Sequence, residues 1–166
     1  MKRTLVIIRH AKAKDLERNE KDFDRTLTDQ GKTDAVAMGV ALKELKLIPD
    51  LIITSPAKRT LQTAGKIAIA SGFPSDNINV DERLYHCSAD VIESVISEVN
   101  NSVKVLFIIA HNPGITDFAV QLEAQCGSNF GIIHIPTCGV VAAHIESENW
   151  FDYSFAKRNI FLFKFP

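Results

Sequence analysis

What this chain lacks narrows the field before any motif is read. Its three cysteines, Cys87, Cys126 and Cys138, are odd in number and widely spaced, with no C-x-x-C pair. That excludes a disulfide framework or a zinc ribbon and points to buried thiols in a reducing, cytoplasmic setting. Long hydrophobic runs are absent too: Leu5–Ile8 and Leu106–Ala110 fall far short of the ~20 residues of a membrane span. Neither sign of charge dominates, with 19 basic and 20 acidic residues, so no overall field draws in nucleic acid or a membrane surface. There is no repeat, no low-complexity stretch and no Pro/Gly/Ser linker. With 166 residues, 46% apolar and 23% charged, the expectation is one globular domain over 1–166. A Walker-type loop and a dinucleotide fingerprint are missing. His86-Cys87, His134 and Cys138 do not have the paired spacing of a metal site. No cofactor and no metal are expected.

What is present is an alternation of two periods. Residues 4–9 and 104–110 are apolar and β-branched throughout, as strands covered on both faces are; 51–54 is a shorter version and 78–80 a weaker one. Helical spacing lies between them. Thr28 is placed to cap a helix facing inward through Ala35, Met38, Leu42 and Leu45. Ser55-Pro56 and Asn112-Pro113 each read as a cap followed by proline at the first helical position. They precede Leu61, Ala64 and Ala68 in one case, Ile115, Phe118 and Leu122 in the other. Ser88 stands ahead of Ile92, Val95, Ile96 and Val99. Beyond residue 126 the helices cease. Residues 132–135, 139–145 and 159–165 read as strands, with 151–156 a loop, so an antiparallel edge is expected there. The fold class is α/β, a three-layer α/β/α sandwich around a mostly parallel sheet.

In such a sheet, ligands bind outside the carboxyl ends of the strands. Arg9-His10 leaves the first strand, Ser55 to Arg59 follows the second, and His111 leaves the strand ending at Ala110. Taken singly, each has an ordinary explanation. A histidine at a strand end is more often a satisfied polar group than a catalyst, and a helix arginine is usually solvated. Their coincidence is the signal: three strand ends present imidazoles or guanidinium groups, and none presents a carboxylate to neutralise them. Helix N-termini add unpaired N–H donors. Together these make a pocket for a tetrahedral dianion such as phosphate.

The segments Leu5-Val6-Ile7-Ile8-Arg9-His10-Ala11, Arg25-Thr26-Leu27-Thr28-Asp29-Gln30-Gly31, Ser55-Pro56-Ala57-Lys58-Arg59 and His111-Asn112-Pro113-Gly114 occur in this order. The chain thereby resembles the histidine phosphatase superfamily, with its phosphoglycerate mutase-like fold, and within it the small SixA-type phosphohistidine phosphatases. Ala11 stands where much of the superfamily has glycine. The resemblance implies that His10 is the nucleophile and becomes phosphorylated, and that Arg9, Arg59 and His111 hold the phosphoryl oxygens. Arg25 either reaches the pocket or pins the loop, and Asn112 is a further candidate for substrate binding. A phosphoryl group in transfer asks mainly for positioning and for positive charge on its equatorial oxygens, which guanidinium forks supply. The nucleophile must be neutral imidazole, its second nitrogen fixed by an acceptor such as a backbone carbonyl, with neighbouring cations favouring that neutral form.

A phosphomonoester also needs a general acid at the leaving oxygen, and Glu82, after the weak third strand, is the candidate. A phosphohistidine substrate relaxes that need, since imidazole departs readily. The expected partner is a phosphorylated protein bearing phosphohistidine. The alternatives are a small phosphorylated metabolite with Glu82 as acid, or a phosphate-binding module without catalysis.

Overall fold

The computed structural model describes residues 2–166. Six strands, β1 (Lys2–Arg9), β2 (Leu51–Thr54), β3 (Ile78–Val80), β4 (Val105–Ala110), β5 (Val140–Glu146) and β6 (Lys157–Lys164), form one sheet in the order β3-β2-β4-β1-β5-β6. The first four pair in parallel, while β5 runs antiparallel to β1 and β6 antiparallel to β5. The expected parallel sheet with an antiparallel C-terminal edge is therefore what the chain builds. Helices α1 (Asp29–Glu44), α2 (Lys58–Ser71), α3 (Ala89–Ser97) and α4 (Gly114–Cys126) cover its two faces.

The layers follow from the two-residue period of a strand. Val6, Ile8, Ile52, Phe107 and Ile109 pack with Ala35, Met38 and Leu42 of α1 and Ala64 and Ile67 of α2. Their neighbours Leu5, Ile7, Ile53, Leu106 and Ile108 pack with Ile92 and Ile96 of α3 and Ile115, Phe118 and Leu122 of α4. Burial on both faces is why these strands tolerate no polar alternation. Each such side chain contributes about 1.5–3 kcal/mol of transfer free energy. Leu45 and Leu61, expected on the inner faces, are 51% and 37% exposed. The inner side of α2 instead carries Arg59, Thr60, Thr63, Ala64 and Ile67, so an arginine faces inward.

The helix starts divide instructively. Thr28 caps α1 as expected, its Oγ1 accepting from Gly31 N at 3.0 Å. Ser55 and Asn112 cap nothing: α2 starts behind Ala57 and α4 behind Pro113. Both side chains are drawn to stronger partners. Ser55 Oγ lies 2.7 Å from His111 Nε2, while Asn112 Nδ2 donates to Ile135 O at 3.1 Å. Ser88 sits at the N-cap of α3 without a side-chain capping bond.

Residues 132–135 are not a strand. The N–H groups at the two ends of this stretch, and those just before it, are taken by α4 side chains instead of a sheet neighbour. The Glu123 carboxylate accepts from the N–H groups of Phe130, Gly131 and Ile132, and Thr116 Oγ1 accepts from Ile135 N. Gly131 in the left-handed region (φ 67°) and Pro136 bound this loop. The stretch 151–156 is irregular with one short 3₁₀ turn, Tyr153–Phe155. Among the described residues no helix is long and apolar enough to cross a membrane.

Candidate active site

The carboxyl ends of β1 and β4 lie side by side in the centre of the sheet, and His10 is fixed there through its own backbone. Its N–H donates to Ala110 O at 3.1 Å, and its carbonyl accepts from Cys138 N at 3.0 Å. Arg9 N donates to Gly139 O at 3.0 Å. The imidazole is fixed as well, with Nδ1 2.8 Å from Ala11 O. A carbonyl oxygen can only accept, so Nδ1 carries the proton and Nε2 is left with its lone pair. Ala11 is itself held, its N–H donating to Thr63 Oγ1 at 3.0 Å.

Around His10 is a cavity of about 270 Å³ lined by Arg9, Lys12, Asp22, Arg25, Arg59, His86, His111 and Asn112, among others. The expected cluster of His10, Arg9, Arg59, His111, Arg25 and Asn112 is thus brought to one place. Arg9 reaches Ile135 O at 3.0 Å and His134 Nε2 at 3.2 Å, so the irregular loop before β5 helps to form the wall. The His10 and His111 rings are centred 5.3 Å apart. Six buried polar side-chain atoms have no hydrogen-bond partner among the described residues. Three of them, Arg9 Nε, Arg59 Nε and His111 Nδ1, belong to residues lining this cavity. Polar atoms left unpaired at one place are the pattern of a ligand site.

Glu82 does not join them. The turn Glu82–Leu84 buries Leu84 completely, which leaves Glu82 on the exposed side, and it is not among the residues lining the cavity. The carboxylate that does line it is Asp22, which the strand-end reading had no reason to select. Asp22 is reached by four side chains: Arg25 Nη1 at 2.9 Å, Arg59 Nη2 at 2.9 Å, Tyr85 Oη at 2.9 Å and His86 Nε2 at 3.1 Å. Arg59 Nη1 also donates to its carbonyl at 2.6 Å. The cations are therefore partly neutralised from a loop rather than from a strand end. Arg25 both reaches the cavity and pins the loop, through Lys14 O at 2.8 Å. The one available signal was the Asp22-x-x-Arg25 spacing, a local pair inside a segment already chosen for its arginine.

The electrostatics follow from this packing. Burial is the largest influence on His10 and, with Arg59, Arg9 and Arg25 nearby, lowers its pKa to about 4 in spite of the Ala11 hydrogen bond. Burial lowers His111 further, to about 3, helped by Arg59 and the neighbouring histidines. Both rings are neutral at physiological pH. Burial pushes the Asp22 carboxyl up, but hydrogen bonds from Arg25, Tyr85 and Arg59 outweigh it and hold the group well below the usual carboxylate range. Asp22 is therefore ionised and can only accept.

Two glycines mark where segments must touch. A Cβ on Gly31 would lie 2.2 Å from Lys12 O, and one on Gly114 would lie 2.0 Å from Cys87 O. The second contact seats the start of α4 directly against the segment carrying Tyr85 and His86.

With this geometry established, the chain can be compared with known proteins. The model of the histidine phosphatase superfamily (branch 1) matches residues 5–107, and the chain belongs to that superfamily. A candidate phosphohistidine phosphatase SixA from Nakamurella multipartitia is similar throughout. It has 26% identity and a TM-score of 0.86, with 100% of this chain and 97% of that one covered. An uncharacterised chloroplast protein of Arabidopsis thaliana is 25% identical over 156 residues, covering 89% of this chain and 69% of that protein. A 2,3-bisphosphoglycerate-dependent phosphoglycerate mutase of Bartonella henselae is 42% identical over 72 residues, 40% of this chain and 34% of that one. The fold is the SixA type of the phosphoglycerate mutase-like architecture, and the activity class is phosphatase.

Proposed function

We propose that this protein removes phosphate from phosphohistidine on a partner protein in the cytoplasm, in two steps and without a metal. His10 Nε2 attacks phosphorus as the P–N bond to the substrate ring breaks. Water then attacks the phospho-His10 intermediate and releases inorganic phosphate. Arg9, Arg25, Arg59, His111 and Asn112 hold the phosphoryl oxygens, the guanidinium groups supplying charge where the transition state spreads it.

The observation that carries this reading is the 2.8 Å contact from His10 Nδ1 to Ala11 O. It presents Nε2 unprotonated in a cavity rich in cations, which is what attack on a phosphoryl group needs and a purely binding module does not. Phosphohistidine is favoured over a phosphomonoester by the carboxylates. Asp22 is held ionised, and Glu82 stands outside, so no carboxylic acid is poised to protonate an alkoxide. The partial match to a mutase keeps a small phosphorylated metabolite as the second reading, with Glu82 moving in to act as acid.

The test is to quench turnover of a phosphohistidine peptide under alkaline conditions, where the P–N bond survives, and to map the label. It should sit on His10 and vanish in His10→Ala; label that persists in the variant refutes the assignment. Replacing Glu82 by Gln separates the two substrate readings. A loss confined to alkyl phosphates supports the metabolite, and unchanged rates on every substrate support phosphohistidine. Phosphate binding without any turnover would leave only the binding module.

A further inference from the structure

We infer that His86 is the proton-transfer residue of this site, giving a proton to the departing atom in the first step and taking one from water in the second. The inference rests on the reading of His10 as nucleophile. His86 lines the same cavity, but its side chain is 50% exposed, whereas His111 is 2% and Arg59 2% exposed. His86 therefore stands at the mouth and the others at the floor. In-line transfer sends the leaving group away from His10, toward the mouth. The His10 and His86 rings are each centred 5.3 Å from that of His111, so they are at most twice that distance apart. Both rings therefore border the same space beside His111, inside the one cavity.

The fold holds this side chain in place against a backbone preference. His86 has φ 51°, a region that non-glycine residues avoid at a cost of order 1–3 kcal/mol. Buried Leu84 and Cys87 on either side of it, at 0% and 8% exposure, and the Gly114 contact on Cys87 O keep the segment in that conformation. The ring faces Asp22 at 3.1 Å, the Tyr85 ring with centroids 4.2 Å apart, and His111. Asp22 is ionised and accepts, so His86 Nε2 carries a hydrogen and Nδ1 is the nitrogen that exchanges protons. Nδ1 has no hydrogen-bond partner among the described residues.

No other group in the cavity fits the task. Guanidinium and ammonium groups keep their protons at neutral pH, and His111 is buried and neutral. The Tyr85 hydroxyl, raised by burial and by Asp22, already donates to that carboxylate. Transfer between His86 and a departing imidazole, by contrast, joins two groups of the same kind. In the first step the bond from phosphorus to the leaving nitrogen or oxygen breaks, the His10 Nε2–P bond forms, and the His86 Nδ1 proton moves to the leaving atom. In the second, water oxygen bonds to phosphorus, the His10 Nε2–P bond breaks, and Nδ1 takes the water proton. Both residues return to their starting states.

The variant to test is His86→Asn, because asparagine tolerates positive φ and cannot transfer protons. Its kcat/KM should fall about 100-fold on phenyl phosphate and about tenfold on a phosphohistidine peptide, whose imidazole departs more readily. On 2,4-dinitrophenyl phosphate, whose leaving group departs without a proton, it should fall less than about threefold. Equal losses on all three probes would reduce His86 to a structural role, and unchanged rates would remove it from the reaction; either overturns the inference. His10 labelling is followed in the same variant. Label on His10 with no leaving-group effect refutes His86 alone, whereas label elsewhere, or no turnover by the unaltered protein, refutes the nucleophile and the inference together.

Discussion

Replacing Asp22 by Asn tests the charge balance of the cavity, because two effects of opposite sign follow from one carboxylate. Arg59 is paired to Asp22 Oδ2 at 2.9 Å with its own side chain only 3% exposed and that of Asp22 33% exposed. Removing the negative charge leaves a buried guanidinium with a weaker acceptor. Losing a hydrogen bond between charged groups at a half-buried site costs about 1–3 kcal/mol. For a chain of this size each kcal/mol lowers Tm by roughly 2–4 °C, so Asp22→Asn should melt about 5 °C below the parent. Phosphate should partly reverse that loss. A phosphate oxygen on Arg59 would share one guanidinium with Asp22, two anions ~5 Å apart, and their repulsion at an effective dielectric of 20 is ~3 kcal/mol per unit charge. Solvent screening leaves a gain of about 10- to 100-fold in phosphate affinity, and tenfold tighter binding adds about 1.4 kcal/mol at saturation. Thermal melts of both proteins across a phosphate titration measure both signs at once. Phosphate stabilising the variant no more than the parent would show that Asp22 does not compete for the anion site.

Three further outcomes follow from the same geometry. His10 and His111 have lowered pKa values, about 4 and about 3, while the unfolded chain takes up protons near the ordinary histidine value of ~6.5. Their contribution to stability is therefore intact above pH 6.5 and is lost as pH falls toward 4; denaturant unfolding at pH 7 and pH 5 should show the loss, reduced in His111→Asn, and ring titration near 6.5 in the unliganded protein would contradict it. Ser55→Ala removes the 2.7 Å partner of His111 Nε2 and should lower kcat about tenfold or more, about 1.4 kcal/mol, with a changed His111 tautomer by nitrogen NMR; an unchanged tautomer would refute the positioning role. Gly114→Ala forces a Cβ to 2.0 Å from Cys87 O and should destabilise by about 1–3 kcal/mol while displacing the His86 segment, so a variant of parental Tm and activity would show that the contact relaxes freely.

Much of this was legible in the residues because strands and their ends obey local rules. The apolar runs of β1 and β4 announce burial on both faces, and the residues that follow them must emerge at one sheet edge, so His10, Arg9, Arg59 and His111 could be gathered without coordinates. Asp22 and Tyr85 could not, since each sits in a loop whose course depends on long-range contacts. Leu27 N donates to Gln62 Oε1 at 2.8 Å, and Thr28 N donates to Lys12 O at 2.9 Å. Ser55 departs from its cap pattern for a related reason. Its sequence context is that of a helix cap, and only the arrival of His111 from the neighbouring strand takes its hydroxyl elsewhere. Residues 132–135 have strand composition, yet Glu123 and Thr116 take the N–H groups of Ile132 and Ile135 first. In each case a side chain distant in sequence took the bond that local propensity had assigned.

The same division separates the invariable from the adjustable parts of the site. The His10 imidazole is locked by backbone bonds to the strands and loop on both sides, and its tautomer is set by the next residue's carbonyl. None of this depends on the identity of the substrate. Asp22, Tyr85 and His86, by contrast, arrive on two surface loops, the first between β1 and α1 and the second between β3 and α3. Loops accept substitution far more readily than central strands do. Changing the Asp22–His86 pair should therefore alter the relative rates on different phosphorylated substrates, with the phosphoryl label still found on His10. Replacing Thr63, whose Oγ1 accepts from Ala11 N and so holds the imidazole from behind, should instead slow His10 labelling by the same factor on every substrate; a loss confined to one substrate would contradict this division.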